Sequence, residues 1–232
     1  MFTSLIALLL ACNPDPGFPD QGVGFRAGGA DGNSGERGTI KISEVLWSGS
    51  VKNDGTWDPT DVFVELRNEG TRAIDLTGWQ IEVNGSVTHT SVIPQTDAML
   101  GVGEHFMLVA SENGCFPSAD VVLPNLTFSQ DEPFEIVLLD RDDRLLEPVG
   151  STVLPPFAGG YDLVESRSME RIELLFGAEG TSPTAWHYYT TAPVEVPNND
   201  RVSADCQQRT LASPGRANSP DYSGASASGS LE

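Results

Sequence analysis

The sequence predicts an all-β fold, a sandwich or barrel, on three observations. Short runs of β-branched and aromatic residues recur through the middle of the chain, turn residues separate them at close intervals, and no stretch has the periodicity of a convincing amphipathic helix. With 232 residues, 39% of them hydrophobic, the chain has room for one medium domain around one core.

The N-terminus precedes that domain. The apolar run Leu5-Ile6-Ala7-Leu8-Leu9-Leu10-Ala11 stops at Cys12 and gives way to Asn13-Pro14-Asp15-Pro16-Gly17. A bilayer-spanning helix needs about 20 apolar residues, roughly twice this length, so residues 1–11 read as a cleaved export signal. Leu9-Leu10-Ala11-Cys12 resembles the lipobox of bacterial lipoproteins, whose cysteine is lipidated on sulfur and becomes the new N-terminus. That resemblance implies membrane attachment through acyl chains on Cys12, each buried methylene contributing about 0.8 kcal/mol, and Asn13 after the cysteine implies sorting to the outer membrane. The alternative is an ordinary signal peptide cleaved nearby, with Cys12 a chance residue. Residues 12–37, rich in Gly, Pro, Asp and Asn, are expected to be a flexible tether.

The strands follow in order. Thr39–Trp47 and Val62–Arg67 are β-branched and aromatic runs bounded by turn residues. In the second, Val62, Val64 and Leu66 share one face, and Glu65 points the other way, placed to accept hydrogen bonds from a neighbouring loop. Trp79–Val83, Asn84-Gly85 and Ser86–Thr90 read as a hairpin around a type I′ turn. Its register would set Val83 opposite Ser86, Ile81 opposite Thr88 and Trp79 opposite Thr90, with His89 beside Gln80 on a largely polar face. Glu104–Val109, Phe134–Leu139 and Arg144–Val149 are further strands, the last two joined by the turn Asp140-Arg141-Asp142-Asp143. Beyond them, residues 219–232 include the low-complexity run Ser223–Ser230 and are expected to form a disordered tail.

Six blocks carry a family resemblance: Glu65–Gly70, Asp75–Ile81, Gly103–Leu108, Ser168–Arg171, the isolated Trp186, and Ser213–Asn218. In this order and spacing the chain resembles the lamin-tail domain from residue 38 to residue 218. The resemblance implies an immunoglobulin-like β-sandwich, here with long insertions near Ser111–Leu126 and Ile172–Ala185. Within it, Asp75-Leu76-Thr77-Gly78 should be a turn in which the Asp or Thr side chain bonds the backbone and Gly78 relieves crowding before Trp79 enters the core.

Two cysteines remain once Cys12 is assigned to lipid. Cys115 and Cys206 both lie in the folded region, and in an oxidising envelope compartment they should form a disulfide; two buried thiols are the other possibility. The charge is unusual, with 33 acidic against 13 basic residues and a net charge of -20. Such a surface repels phosphate backbones and lacks a basic cluster to release counterions, so nucleic acid is not an expected partner, and direct adsorption to anionic lipids is disfavoured.

Catalytic signatures are sparse. His89, His105 and His187 are too scattered for a metal-binding helix motif, and the chain has no His-Glu-x-x-His, Gly-x-Ser-x-Gly or phosphate-binding Gly-x-x-x-x-Gly-Lys-Ser/Thr motif. His187, beside Tyr188-Tyr189, is the histidine to inspect for a triad assembled from distant loops, against the plainer reading of a strand end. Asp54, Asp58 and Asp61 in the Asn53–Asp61 loop, and Asp140–Asp143, offer oxygen ligands suited to calcium, but neither cluster matches an EF-hand, and solvated turns are the bland alternative. Trp47 and Trp57 beside the first loop could stack on a sugar ring, Trp47 being equally a core candidate. The leading expectation is a non-catalytic, lipid-anchored module of the cell envelope, without a cofactor, that binds protein or glycan through loops at one end of the sandwich. A structural protein that spaces or self-associates, and a hydrolase with an unrecognised site, are the alternatives.

Overall fold

The computed structural model describes residues 38–86, 88–94, 98–130, 132–172, 179–191 and 199–222. The export signal, Cys12, the tether and residues 223–232 lie outside the described residues. In chain order the strands are β1 (Ile40–Leu46), β2 (Ser50–Val51), β3 (Trp57–Asp58) and β4 (Phe63–Asn68), then β5 (Ile74–Asp75), β6 (Gln80–Gly85), β7 (His89–Val92), β8 (Met99–Leu100) and β9 (His105–Val109). There follow β10 (Val121–Val122), β11 (Phe134–Leu139), β12 (Leu145–Ser151), β13 (Gly160–Tyr161), β14 (Ser166–Arg167), β15 (Met169–Arg171), β16 (Trp186–Tyr188) and β17 (Thr210–Leu211). Among the described residues the helical element is one 3-10 turn, Pro183–Ala185. The strands of five or more residues fall within two residues of their predicted bounds, while β7 begins three residues later than expected.

The larger sheet has the order β10-β9-β4-β1-β15-β16 and the smaller β12-β11-β6-β7; β13-β14-β17 make a three-stranded sheet, and β2-β3 and β5-β8 are two-stranded ribbons. Strand alternation sends Val64 and Leu66 of β4 and Phe106 and Leu108 of β9 into one apolar cluster with Ile81, Val83, Ile136, Leu138 and Val149 of the smaller sheet. Val62 joins them, as its shared face with Val64 and Leu66 predicts. Across the sandwich, Glu147 of β12 accepts from the Ile42 N–H at 2.7 Å and from Arg171 Nη1 at 2.9 Å. Burial pushes the Glu147 carboxyl upward while Arg171 pulls it back.

Trp79 is fully buried in the same cluster, delivered by the turn before it. The Thr77 N–H donates to Asp75 Oδ1 at 2.9 Å and the Trp79 N–H to the Leu76 carbonyl at 3.0 Å. Gly78 has φ +79°, and a Cβ there would meet nothing closer than Arg141 Cβ at 3.4 Å. Positive φ, rather than crowding, is what requires glycine.

The hairpin register expected around Asn84-Gly85 is overturned. β6 runs on through both residues, which pair with Glu135 and Phe134 of β11. Its partners on β7 are Val83–His89, Glu82–Thr90, Ile81–Ser91 and Gln80–Val92. A Cβ on Gly85 would lie 2.6 Å from the Pro133 carbonyl, so this glycine serves the close approach of β11. The odd-numbered shift moves His89 onto the face of Ile81 and Val83. Its Nε2 accepts from the Thr127 N–H at 3.3 Å, its buried Nδ1 has no hydrogen-bond partner among the described residues, and burial holds its pKa below the ordinary histidine value.

The larger sheet is covered on both faces. On its outer face Leu46, Phe63, Met107 and Val109 pack with Phe116, Val202, Ala212 and a disulfide between Cys115 and Cys206, whose Cα atoms are 5.8 Å apart. The expected pairing of these cysteines is thus formed. The segment 199–219 makes this cover, tied to the loop after β9 by the Ser203 N–H, which donates to the Cys115 carbonyl at 2.7 Å.

Candidate functional site

Beside the apolar part of that outer face lie three fully buried carboxylates, Glu44 of β1, Glu65 of β4 and Glu170 of β15. Strand register sets Glu44 opposite both Glu170 and Glu65. Their donors come chiefly from the covering segment. The Ser213 N–H donates to Glu44 Oε1 at 2.8 Å and its hydroxyl to Glu170 Oε1 at 2.5 Å. The Gly215 N–H reaches Glu65 Oε2 at 2.5 Å, and Ser219 gives Glu170 both its N–H, at 3.1 Å, and its hydroxyl. Glu65 therefore accepts from a loop as its place on the strand suggests; it also takes the Ser43 hydroxyl at 2.9 Å and lies 2.6 Å from His105 Nδ1. Burial, with the neighbouring charges of Glu170 and Glu65, pushes Glu44 well above the usual carboxylate range, and burial raises Glu170.

His187 belongs to this cluster. It is buried, with Nε2 3.8 Å from Glu170 Oε2 and Nδ1 2.9 Å from the Tyr188 carbonyl. Ser219 and His187 thus meet on the same carboxylate. Activating a serine requires the imidazole between hydroxyl and carboxylate, whereas here the carboxylate is in the middle. The arrangement holds the covering segment in place.

Asp54, Asp58 and Asp140 accept from their own turns, whereas Asp61 accepts through one oxygen from donors further off in the chain. Asp54 Oδ1 accepts from the Thr56 N–H at 2.8 Å; Asp58 Oδ1 takes the Thr60 N–H at 2.9 Å and its hydroxyl at 2.7 Å. Asp61 is buried, with Oδ2 accepting from the Cys115 N–H at 2.6 Å and the Ser50 hydroxyl at 2.5 Å, and burial raises its pKa. Asp140 closes its turn by accepting the Asp142 and Arg144 N–H groups at 2.9 and 3.0 Å. Among the described residues no three or more His, Cys, Asp or Glu side chains come together in a way that could hold a metal.

The two tryptophans separate. Trp47 is 3% exposed and part of the core, its indole N–H donating to the Ala158 carbonyl at 2.9 Å. It therefore cannot offer an open stacking face. Trp57 is 37% exposed, bonds the Ser48 carbonyl through its indole N–H at 2.9 Å, and stacks on Tyr161 with centroids 4.6 Å apart and planes 13° from parallel.

Tyr161 is in turn one wall of an open groove of about 720 Å³. Gly159 and Gly160, at φ +74° and +130°, contribute to its lining over Trp47, whose ring a Cβ on Gly160 would approach to 3.4 Å. Tyr188 and Tyr222, 54% and 77% exposed, also line it. Arg167 lies 5.8 Å from the Tyr188 ring centroid and donates through Nη1 to the Tyr189 carbonyl at 2.7 Å and through Nε to Glu165 Oε1 at 2.7 Å. Asp162 closes the β13–β14 turn by accepting the Glu165 and Val164 N–H groups at 2.9 and 3.0 Å, bonds that hold its carboxyl below the usual range. At the tip of that turn Leu163 has φ +77° and is 82% exposed. The sequence signal for this groove is weak, because its walls come from two-residue strands and from segments far apart in the chain.

The lamin tail domain model matches residues 33–152, just over half the chain, and ends just after β12. Ser168–Arg171, Trp186 and Ser213–Asn218 lie beyond the match. No curated protein matches the chain. Among the described residues, no helix is long and apolar enough to cross a membrane.

Proposed function

Because the chain belongs to the lamin tail domain family, an immunoglobulin-like and non-enzymatic one, we propose that it is a binding module of the cell envelope, carried on acyl chains at Cys12, that meets an envelope protein or glycan. The groove walled by Tyr161, Tyr188 and Tyr222 carries this reading. Exposed aromatic rings beside fixed polar groups, mounted on a rigid sandwich, are the usual composition of a recognition surface. The buried carboxylates offer no competing site, since their hydrogen-bond partners are the protein's own covering segment. The disulfide suits an oxidising extracellular compartment, and the short apolar run ending at Cys12 supports export and lipidation.

The test is a pull-down with the full chain, under oxidising conditions, from solubilised envelope and from purified peptidoglycan. Saturable enrichment from either pool is the expected result. No enrichment from both would overturn the binding reading and favour a structural protein that spaces or self-associates, which a light-scattering mass would then examine.

A further inference from the structure

We propose that the groove between the β13–β14 turn and β16 binds an uncharged oligosaccharide, with sugar rings stacked on Tyr188 and Tyr222; this rests on the binding-module reading and names its ligand class. Both residues are more than half exposed, and a tyrosine ring is a flat apolar surface with a hydroxyl at its end. A pyranose ring has the complementary form, C–H groups on its faces and hydroxyls around its edge. At positions 159 and 160 a Cβ would meet the Arg167 carbonyl at 2.6 Å and the Trp47 ring at 3.4 Å, so these glycines let the groove's backbone lie close against Arg167 and Trp47. The volume, about 720 Å³, falls within the roughly 300–1,000 Å³ of small-molecule sites.

The polar groups decide the charge of the ligand. Asp162, Glu165 and Arg167 line the groove, and the guanidinium is already paired with Glu165. The local balance is acidic, in a chain whose net charge is -20. A phosphate, a uronate or a nucleic acid would enter against that field, whereas sugar hydroxyls can donate to the carboxylates and accept from the guanidinium. An extended peptide is less well served, because β13, at the edge of its sheet, is two residues long and offers little ladder to extend.

The experiment is isothermal titration calorimetry of the full chain with chitohexaose, cellohexaose and maltohexaose. Saturable binding of at least one is expected, with little dependence on salt between 50 and 500 mM, values on the order of those that screen charge contacts. Tyr188→Ala and Tyr222→Ala should each weaken it at least about tenfold, the loss of one aromatic contact, while Tyr188→Phe, which keeps the ring, and Met99→Ala, an exposed residue outside the groove, should leave it unchanged. Melting curves like the parent's would show that the variants are folded. Absence of binding to all three sugars, or binding indifferent to both alanine variants, overturns the inference. A protein captured in the envelope pull-down and released by the tyrosine substitutions, with no oligosaccharide bound, would overturn the glycan assignment and leave the binding module standing.

Discussion

Removing the Cys115–Cys206 bond should be the most costly change that leaves the strands intact. The cysteines are 91 positions apart, and closing a loop of that length lowers the unfolded chain's entropy enough to stabilise the fold by about 4.6 kcal/mol. Both residues are buried against Phe116 and Met107, so the paired Cys115→Ala and Cys206→Ala substitution keeps the site apolar and chiefly removes the cross-link. A domain of roughly 180 residues has an unfolding entropy of about 0.38 kcal/mol/K at its midpoint, which converts the loss into a Tm about 12 °C lower. Thermal unfolding of the double variant and parent, followed by circular dichroism at pH 7, measures it. The argument fails if the two melt within about 3 °C of each other, or if the parent takes up two alkyl groups without reductant.

The remaining predictions concern acidity, turn chemistry, backbone strain and anchoring. Glu44 and Glu170 have folded pKa values raised above the unfolded carboxylate value, so the folded state holds more protons above about pH 4.5, and stability should fall as pH rises from there through the raised values. Tm should accordingly be higher at pH 5.5 than at pH 8, and Glu44→Gln should flatten that slope. Asp140→Ala deletes a buried carboxylate that holds two backbone N–H groups, and should cost about 2 kcal/mol in urea unfolding. Leu163→Asn relieves a left-handed conformation at an exposed tip, and should raise the urea midpoint by the equivalent of about 1 kcal/mol; a lowered midpoint would show that the leucine makes a contact worth more than its strain. Cys12→Ser should move the protein from the membrane to the soluble fraction on cell fractionation, and retention in the membrane would refute lipidation.

The sheet strands were legible because their apolar residues alternate or run together between turn residues, as in Phe134–Leu139 and Val62–Arg67. Asn84-Gly85 misled because a local turn preference competes with burial of Ile81 and Val83 against β11, each side chain contributing about 1.5–3 kcal/mol when fully buried. The same limit hid the role of the outer face. Alternation places Glu65 to accept from a neighbouring loop, but nothing in the local pattern reports that Glu44 and Glu170 share its burial, or that the loop is a segment about 150 residues further on. In the candidate site, Trp57 was found by its loop and its indole, but its contact with Tyr161 depends on a hairpin whose strands are two residues long, too short to register as a period of any kind.

Those buried carboxylates raise the question of why the outer face is not simply apolar throughout, as it is around Phe63 and Met107. Burying charge is expensive, and an apolar replacement of similar volume is often as stable or more so. What an apolar face cannot do is fix the position of a chain that, like residues 213–219, crosses it without forming a strand. Each carboxylate here takes a particular donor: Ser213 on Glu44, Gly215 on Glu65, Ser219 on Glu170. A slip of one residue along the covering segment would leave several of these oxygens unsatisfied in a dry environment, each at a cost of about 1–3 kcal/mol or more. The consequence extends to the groove, because three residues beyond Ser219 stands Tyr222. Thr190 joins the two ends, its N–H donating to Ser219 Oγ at 2.9 Å and its hydroxyl to the Pro220 carbonyl at 2.6 Å, while Thr190 itself follows Tyr188 and Tyr189 out of β16. The acidic cluster therefore sets the register of the segment that carries one aromatic wall, and ties it to the strand that carries another.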